Sequence, residues 1–331
     1  VVLTTGKLPP ALLRELLAGA AAAAPEVVLP AAMGEDACAI ALGGGALVVA
    51  TDPVTLTGSE VGAHAVVVNA NDVAVMGVRP RWFLAAVLLP PGTDEAGVRA
   101  LFGGMRRACE AAGVVLVGGH TEVTEAVRQP VVVGQMLGFS PEGRFLRTGA
   151  VRPGDAVVQV GPAPVEAAAV LAAERPGAEL PDEMRRRARG ALDDPGISVV
   201  EAALAAAELG ARALHDPTEG GLSAGLHEMA EASGVALVVD PEAVLWFEPG
   251  RRICEALGAD PWGALASGAL LVAVAGEELA ALRAGLEARG LESAVIARAE
   301  AGAGVRTADG GPLPRYDRDE VARVLETGGS P

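Results

Sequence analysis

The sequence predicts a two-domain protein of mixed α+β and α/β character, on three observations. The chain has 331 residues, about twice the length of an ordinary domain. Strand-sized apolar runs alternate with segments of helical period along its length. The pattern breaks once, at Arg147–Asp155, where Arg152-Pro153-Gly154-Asp155 reads as a turn. The expected division is residues 1–148, residues 149–310, and a C-terminal helix and tail over 311–331.

In the first part, residues 11–23 read as a helix ended by Pro25. Ala37–Leu42 and Leu47–Thr51 read as a hairpin turning on Gly43-Gly44-Gly45, a simple turn or a phosphate cradle. Ser59–Met76 carries a β-branched triplet, Val66-Val67-Val68. At eighteen residues it is too long for a strand, so a helix is expected, with Ser59 as its cap and Gly77 as its end. Trp82–Leu89 is apolar on both alternations and reads as a strand covered on both faces. A helix over Asp94–Ala112 ends at Gly113. It is followed by a short buried strand, Val114–Val117, that runs into Gly118-Gly119-His120-Thr121-Glu122, and by a strand over Pro130–Gly138.

In the second part the expected strands are Ala156–Val160, Arg212–His215, Ala236–Asp240 and Gly268–Ala275. Helices are expected over Pro164–Glu174, Pro181–Leu192, Ser198–Glu208, Leu222–Ser233 and Glu277–Arg289, with Gly328–Pro331 as a frayed tail.

Composition narrows the function. Hydrophobic residues make up 51% and charged residues 21%, as in a globular protein. A net charge of −16 argues against nucleic acid as a partner, because phosphates would be repelled over most of the surface. Cys38, Cys109 and Cys254 form no CxxC pair and no disulfide framework, which points to a reducing, cytoplasmic setting. No apolar run reaches membrane-spanning length, and no signal peptide is visible. Of 26 basic residues, Lys7 is the only lysine, and the only asparagines are Asn69 and Asn71.

Five segments carry candidate chemistry. Asp36, Asp52 and Asp72 are all-oxygen donors that suit Mg²⁺ if they converge, and are separate cap and turn residues if they do not. The alternation beside Asp36 turns Glu35 to solvent. Gly118-Gly119 follows a strand, and Gly220-Gly221 opens a helix. Both suit phosphate contact through backbone N–H groups, and both also suit plain punctuation. His120 and His215 flank these glycines, whereas His227 sits inside a helix and reads as structural. There is no HExxH, GxSxG or Walker A motif.

In order, Gly34-Glu35-Asp36-Ala37, Thr51-Asp52, Asn69–Gly77, Gly118–Glu122 and Asp216-Pro217-Thr218-Glu219-Gly220-Gly221 resemble the aminoimidazole ribonucleotide synthetase (PurM)-like superfamily. The nearest likeness is to the hydrogenase-maturation protein HypE and to synthetase-related proteins. The resemblance implies a PurM-like fold. Its N-terminal domain would build a β-barrel across a homodimer interface, and its C-terminal domain would be an α/β sandwich. It implies ATP- and Mg²⁺-dependent phosphoryl transfer to a small molecule or to an amide- or carboxylate-type oxygen. By motif match, Asp36, Asp52 and Asp72 would hold Mg²⁺. Lys7, Asn69, Asn71, Gly118, Gly119, Thr121, Thr218, Gly220 and Gly221 would hold nucleotide, with Asp216 and His120 near the acceptor. Lys7 is equally well read as a solvated surface lysine. HypE carries its carbamoyl group on a terminal cysteine, for which Glu326–Pro331 offers no counterpart. The nucleotide half of the resemblance therefore transfers and the acceptor half does not. A non-catalytic nucleotide-binding factor in metalloenzyme maturation is the alternative.

Overall fold

The computed structural model describes residues 8, 10–17, 24–32, 34–55 and 60–327. Two units emerge. One comprises Ala23–Pro30 and Asp36–Phe145. The other takes α1 (Pro10–Leu17), Ala31–Glu35 and the chain from Leu146 onward. Lys7, the residues that follow α1 up to 23, the expected cap Ser59 and the tail Gly328–Pro331 lie outside the described residues.

In the first unit the strands are β1 (Val27–Leu29), β2 (Cys38–Leu42), β3 (Gly45–Val54), β4 (Pro80–Leu89), β5 (Val115–Val123) and β6 (Val131–Ser140). They form one sheet in the order β1-β2-β3-β6-β4-β5. The β2–β3 hairpin turns on Gly43-Gly44, so the triple glycine is a turn. Two helices complete the unit, α2 (Val61–Ala74) and α3 (Glu95–Ala112). Both ends of α3 follow from sequence: Asp94 caps it by accepting from Gly97 N at 2.7 Å, and Gly113 ends it in the left-handed region. The sheet is open, and no closed barrel forms among the described residues.

Helix α2 lies on one face of this sheet. Val132, Gly134, Met136 and Gly138 of β6 are buried on that face, and the alternate residues Val131, Val133, Leu137 and Phe139 are only half-buried. A Cβ at Gly138 would come within 2.7 Å of Val73 Cγ1, so glycine lets the helix approach. The strand expected to be covered on both faces, Trp82–Leu89, is β4, and it shows the same pattern of cover on one face. Trp82, Leu84, Ala86 and Leu88 stay half-buried.

The expected short, buried strand at Val114–Val117 is longer and exposed. It continues through the glycines as β5 to Val123, pairing in parallel with β4 from Leu84↔Gly118 to Leu89↔Val123. It is the edge of the sheet, and Val115, Val117 and Val123 are each more than half exposed.

In the second unit, β7 (Ala156–Val160), β8 (Ala213–His215), β9 (Ala236–Val239), β10 (Leu270–Val274), β11 (Ser293–Glu300) and β12 (Gly304–Thr307) are ordered β12-β9-β11-β7-β10-β8. All pairs are antiparallel except β12 with β9. The helices are α4 (Val165–Glu174), α5 (Asp182–Arg189), α6 (Val200–Glu208), α7 (Gly221–Ser233), α8 (Glu248–Ala256), α9 (Leu279–Glu287) and α10 (Glu320–Thr327). Strands β7 and β10 are buried throughout. Leu271 and Ala273 of β10 join a core with Leu222, Leu226 and Met229 of α7. Leu270, Val272 and Val274 point to the opposite face and are equally buried, so the sheet is covered on both sides. Among the described residues no helix is long and apolar enough to cross a membrane.

Candidate functional site

The segment Asn69–Asp72 is built into α2, and all three of its polar side chains are buried there. Asn69 is clamped on β3. Its Oδ1 accepts from Asp52 N at 2.8 Å, and its Nδ2 donates to Ala65 O at 2.8 Å and to Asp52 O at 3.3 Å. The carboxamide thus meets both backbone groups of Asp52, as a neighbouring strand would. Its seat requires a glycine, because a Cβ at Gly134, which pairs with Asp52, would overlap the Asn69 amide. Asn69 was expected to touch nucleotide. Its hydrogen bonds instead hold Asp52, whose own surroundings are exposed.

Asp36 is half-buried at the start of β2, and Asp72 is buried in α2. Among the described residues no three His, Cys, Asp or Glu side chains gather closely enough to hold a metal ion. Asp36, Asp52 and Asp72 therefore make no all-protein cage. Their donor chemistry still fits Mg²⁺, which is usually held by one or two carboxylates with the remaining positions left to water and substrate phosphate.

Glu35 was expected at the surface. Its side chain is 4% exposed, accepts from Thr148 N at 3.2 Å and lies 3.6 Å from Arg147 Nε. It belongs to the second unit, whereas Asp36 belongs to the first. Alternation fails here because the chain passes from one body to the other between these two residues.

Gly118, Gly119, His120 and Thr121 are strand residues on the exposed edge, not a loop. Gly119 has φ +147°, and a Cβ there would overlap the carbonyl of Ala85 on β4. Close approach of the two backbones accounts for this glycine. A Cβ at Gly118 would meet only Leu84 Cδ2, at an ordinary contact distance of 3.9 Å. His120 is exposed, with Nε2 3.3 Å from Glu122 Oε2.

Asp216 is 3% exposed in the loop after β8, and Thr218 is half-buried. Gly220 and Gly221 both have positive φ, 82° and 70°, as the helix entry requires. The backbone N–H of Gly220, read from sequence as an anion donor, is met from within the chain: it donates to Asp319 Oδ2 at 2.8 Å. Val321 N donates to the other oxygen at 2.8 Å. Sequence reading missed Asp319, which lies 99 positions from Gly220 and carries no local signal.

Asp319 lies among acids. Burial pushes its carboxyl up to about 7, Glu219 and Glu166 push the same way, and the two N–H groups oppose them. Burial also raises Glu166, which accepts from the Ser267 hydroxyl. The C-terminal segment is tied down nearby. Tyr316 donates its hydroxyl to Asp260 Oδ2 at 2.6 Å, and Glu320 Oε2 accepts from Asp260 N at 2.8 Å.

The histidines differ. His215 is buried with Nε2 3.0 Å from Glu228 Oε2. His227 lies 3.2 Å from Leu313 O, and burial lowers its pKa, in keeping with a structural role. None of the three cysteines is disulfide-bonded. Burial holds Cys109 up at about 11 and raises Cys38 and Cys254 as well.

Residues 34–140 match the AIR synthase related protein N-terminal domain, and residues 152–309 match the AIR synthase related protein C-terminal domain. The chain is 36% identical over 253 residues to carbamoyl dehydratase HypE of Rhodobacter capsulatus, spanning 75% of this chain and 72% of the relative. A structure of hydrogenase maturation protein HypE in complex with ATP superposes with a TM-score of 0.69 at 24% identity, over 92% of this chain and 91% of that one. AaThiL complexed with AMPPCP and TMP superposes with a TM-score of 0.73 at 21% identity, over 92% and 94%.

Proposed function

The chain belongs to the AIR synthase related, PurM-like superfamily, close to HypE, and on that premise we propose that it is an ATP- and Mg²⁺-dependent phosphoryl-transfer enzyme. The acceptor would be a small molecule or an amide- or carboxylate-type oxygen. The observation that carries this reading is the Asn69 clamp on Asp52. A whole buried carboxamide is spent on fixing the backbone of one exposed acid, inside a segment that the family also has.

In this reading Asp36, Asp52 and Asp72 would hold Mg²⁺, which when bound offsets phosphate charge. Asn71, Gly118, Gly119 and Thr121 would contact nucleotide, with Lys7, Thr218, Gly220 and Gly221 as further candidates. Asn69 acts through Asp52 and is a positioning residue. Asp216 is the candidate for the acceptor, with His120 as a second. The complexes of HypE with ATP and of AaThiL with AMPPCP support nucleotide binding. The second reading, a nucleotide-binding factor in metalloenzyme maturation, draws on the 36% identity to a HypE.

The test is a thermal shift with ATP, with Mg²⁺ and with both. At about 100 times its dissociation constant, Mg²⁺-ATP stabilises by about 2.7 kcal/mol, or about 5–10 °C for domains of this size. ATP alone should shift little, since carboxylates would face phosphates with nothing between them. Asp52→Asn, at an exposed position, and Asp72→Asn should each remove most of the joint shift. Equal shifts in wild type and both variants would mean that the aspartates are structural. Homodimerisation is part of the proposal, because β4 and β6 leave an apolar face half-covered and β5 leaves an open edge. Light scattering should give about twice 33.2 kDa at micromolar concentration. A clean monomer would refute it.

A further inference from the structure

The second unit holds a cluster of cations that the proposed function does not use. In a chain of net charge −16, α5 places Arg185, Arg186, Arg187 and Arg189 within eight residues. Two of these have evident partners. Arg185 donates to Leu180 O at 2.9 Å, and Arg186 pairs with Glu183 on the same helix. Arg187 differs. Its guanidinium carbon lies 5.7 Å from the centroid of the Phe247 ring, and among the described residues it makes no ion pair.

Beside this pair opens a cavity of about 370 Å³, lined by Arg186, Arg187, Phe247, Pro162, Pro195 and Asp194. That size is at the lower end of small-molecule pockets. Its floor is fixed. Phe247 is 4% exposed, and its N–H donates to Ala163 O at 2.7 Å. Asp194 is set by its own N–H, which donates to Gly190 O at 2.9 Å. Cavity and lining belong to the second unit alone.

A cation over an aromatic face engages the ring without spending a guanidinium N–H. Arg187 therefore keeps its planar fork of donors, which matches a carboxylate. The two prolines supply flat apolar walls with little entropy to lose, and Phe247 beneath Arg187 holds its guanidinium in place. Asp194 adds one acceptor to the same cavity and disfavours a ligand that is purely anionic. We propose that this cavity is a binding site for a small flat carboxylate that also carries an N–H donor. The carboxylate would meet Arg187, with Arg186 beside it, the ring would lie against Pro162 and Pro195, and the N–H would face Asp194.

The test is titration of the full chain with 2-aminobenzoate, without ATP or Mg²⁺, so that its outcome is independent of the nucleotide reading. Binding should saturate in about the millimolar range, as suits a ligand of this size. Aniline, which lacks the carboxylate, should not bind. Benzoate should bind more weakly, having nothing for Asp194, and cyclohexanecarboxylate more weakly again, having no flat face. Arg187→Ala, at an exposed position, should weaken 2-aminobenzoate about tenfold or more. Arg187→Lys keeps the charge but not the fork and should recover only part of the loss. No saturation by about 10 mM, about ten times a millimolar dissociation constant, would overturn the site. So would aniline binding as well as 2-aminobenzoate, or an unchanged affinity in Arg187→Ala.

Discussion

Asp319 should make the stability of the second unit depend on pH near neutrality. Its carboxyl titrates at about 7 in the folded chain, against an ordinary 3.8. Burial is the main cause, followed by the repulsion of Glu219 and Glu166, while the N–H groups of Gly220 and Val321 pull the other way. Because the folded value is the raised one, the folded state keeps its proton over a range in which the unfolded chain has lost it. Stability from this group is therefore complete below about 3.8 and falls as pH rises through about 7. The whole span corresponds to about 4 kcal/mol, of which about 3 kcal/mol is lost between pH 5 and pH 8. For a domain of this size that is a fall in Tm of about 6–12 °C. Asp319→Asn carries no titrating proton, while Glu166, also raised by burial, is present in both proteins. His227, lowered by burial, moves both proteins alike, and Glu320, lowered chiefly by Arg323, titrates below the window. The assay is the melting temperature of both proteins from pH 5 to 8. The wild type should lose ground to the variant steadily as pH rises. A difference that stays constant with pH would refute the reasoning.

Other outcomes follow from the same structure. Asn69→Ala removes one acceptor and two donated bonds and should cost about 1–3 kcal/mol in urea unfolding. Gly134→Ala should cost at least as much, because its new Cβ would displace the same amide; a neutral result in both would mean that α2 and β3 are not coupled there. With Cys38, Cys109 and Cys254 all raised in pKa, a thiol reagent at pH 8 should react slowly with the native chain and stoichiometrically after denaturation. The triple Cys→Ala protein should keep nucleotide binding, and its loss in a folded variant would reopen a thiol mechanism.

Elements with strong local signals were legible in the sequence. Asp94 and Gly113 mark the ends of α3, Gly43-Gly44 marks a hairpin, and the unbroken apolar run of β10 marks a strand. Helix α2 was legible by length against its own valines, though its N-cap position is Glu60. What failed depended on the partner across the fold. Gly118-Gly119 has the composition of a loop and becomes strand because β4 offers a parallel edge. Helix α8 and strands β11 and β12 have no sharp local markers and were missed. Within the candidate site, Asn69 and Asp52 were both found, but not that one holds the other, since a contact over 17 positions leaves no periodic trace. Asp319 was invisible for the same reason.

The Asn69 clamp also bears on what a ligand must give up on arrival. Residues at the surface end of a strand commonly fray, and ordering one costs about 1–2 kcal/mol of backbone entropy. Asp52 sits at such a place with both its N–H and its carbonyl already engaged by a side chain from the helix behind. The backbone that carries its carboxylate is therefore in place before a cation or donor meets it. Folding has already met the backbone share of that cost, so an approaching ligand keeps more of its interaction energy as affinity. Amide hydrogen exchange should register this as an Asp52 proton that exchanges slowly although its residue faces water.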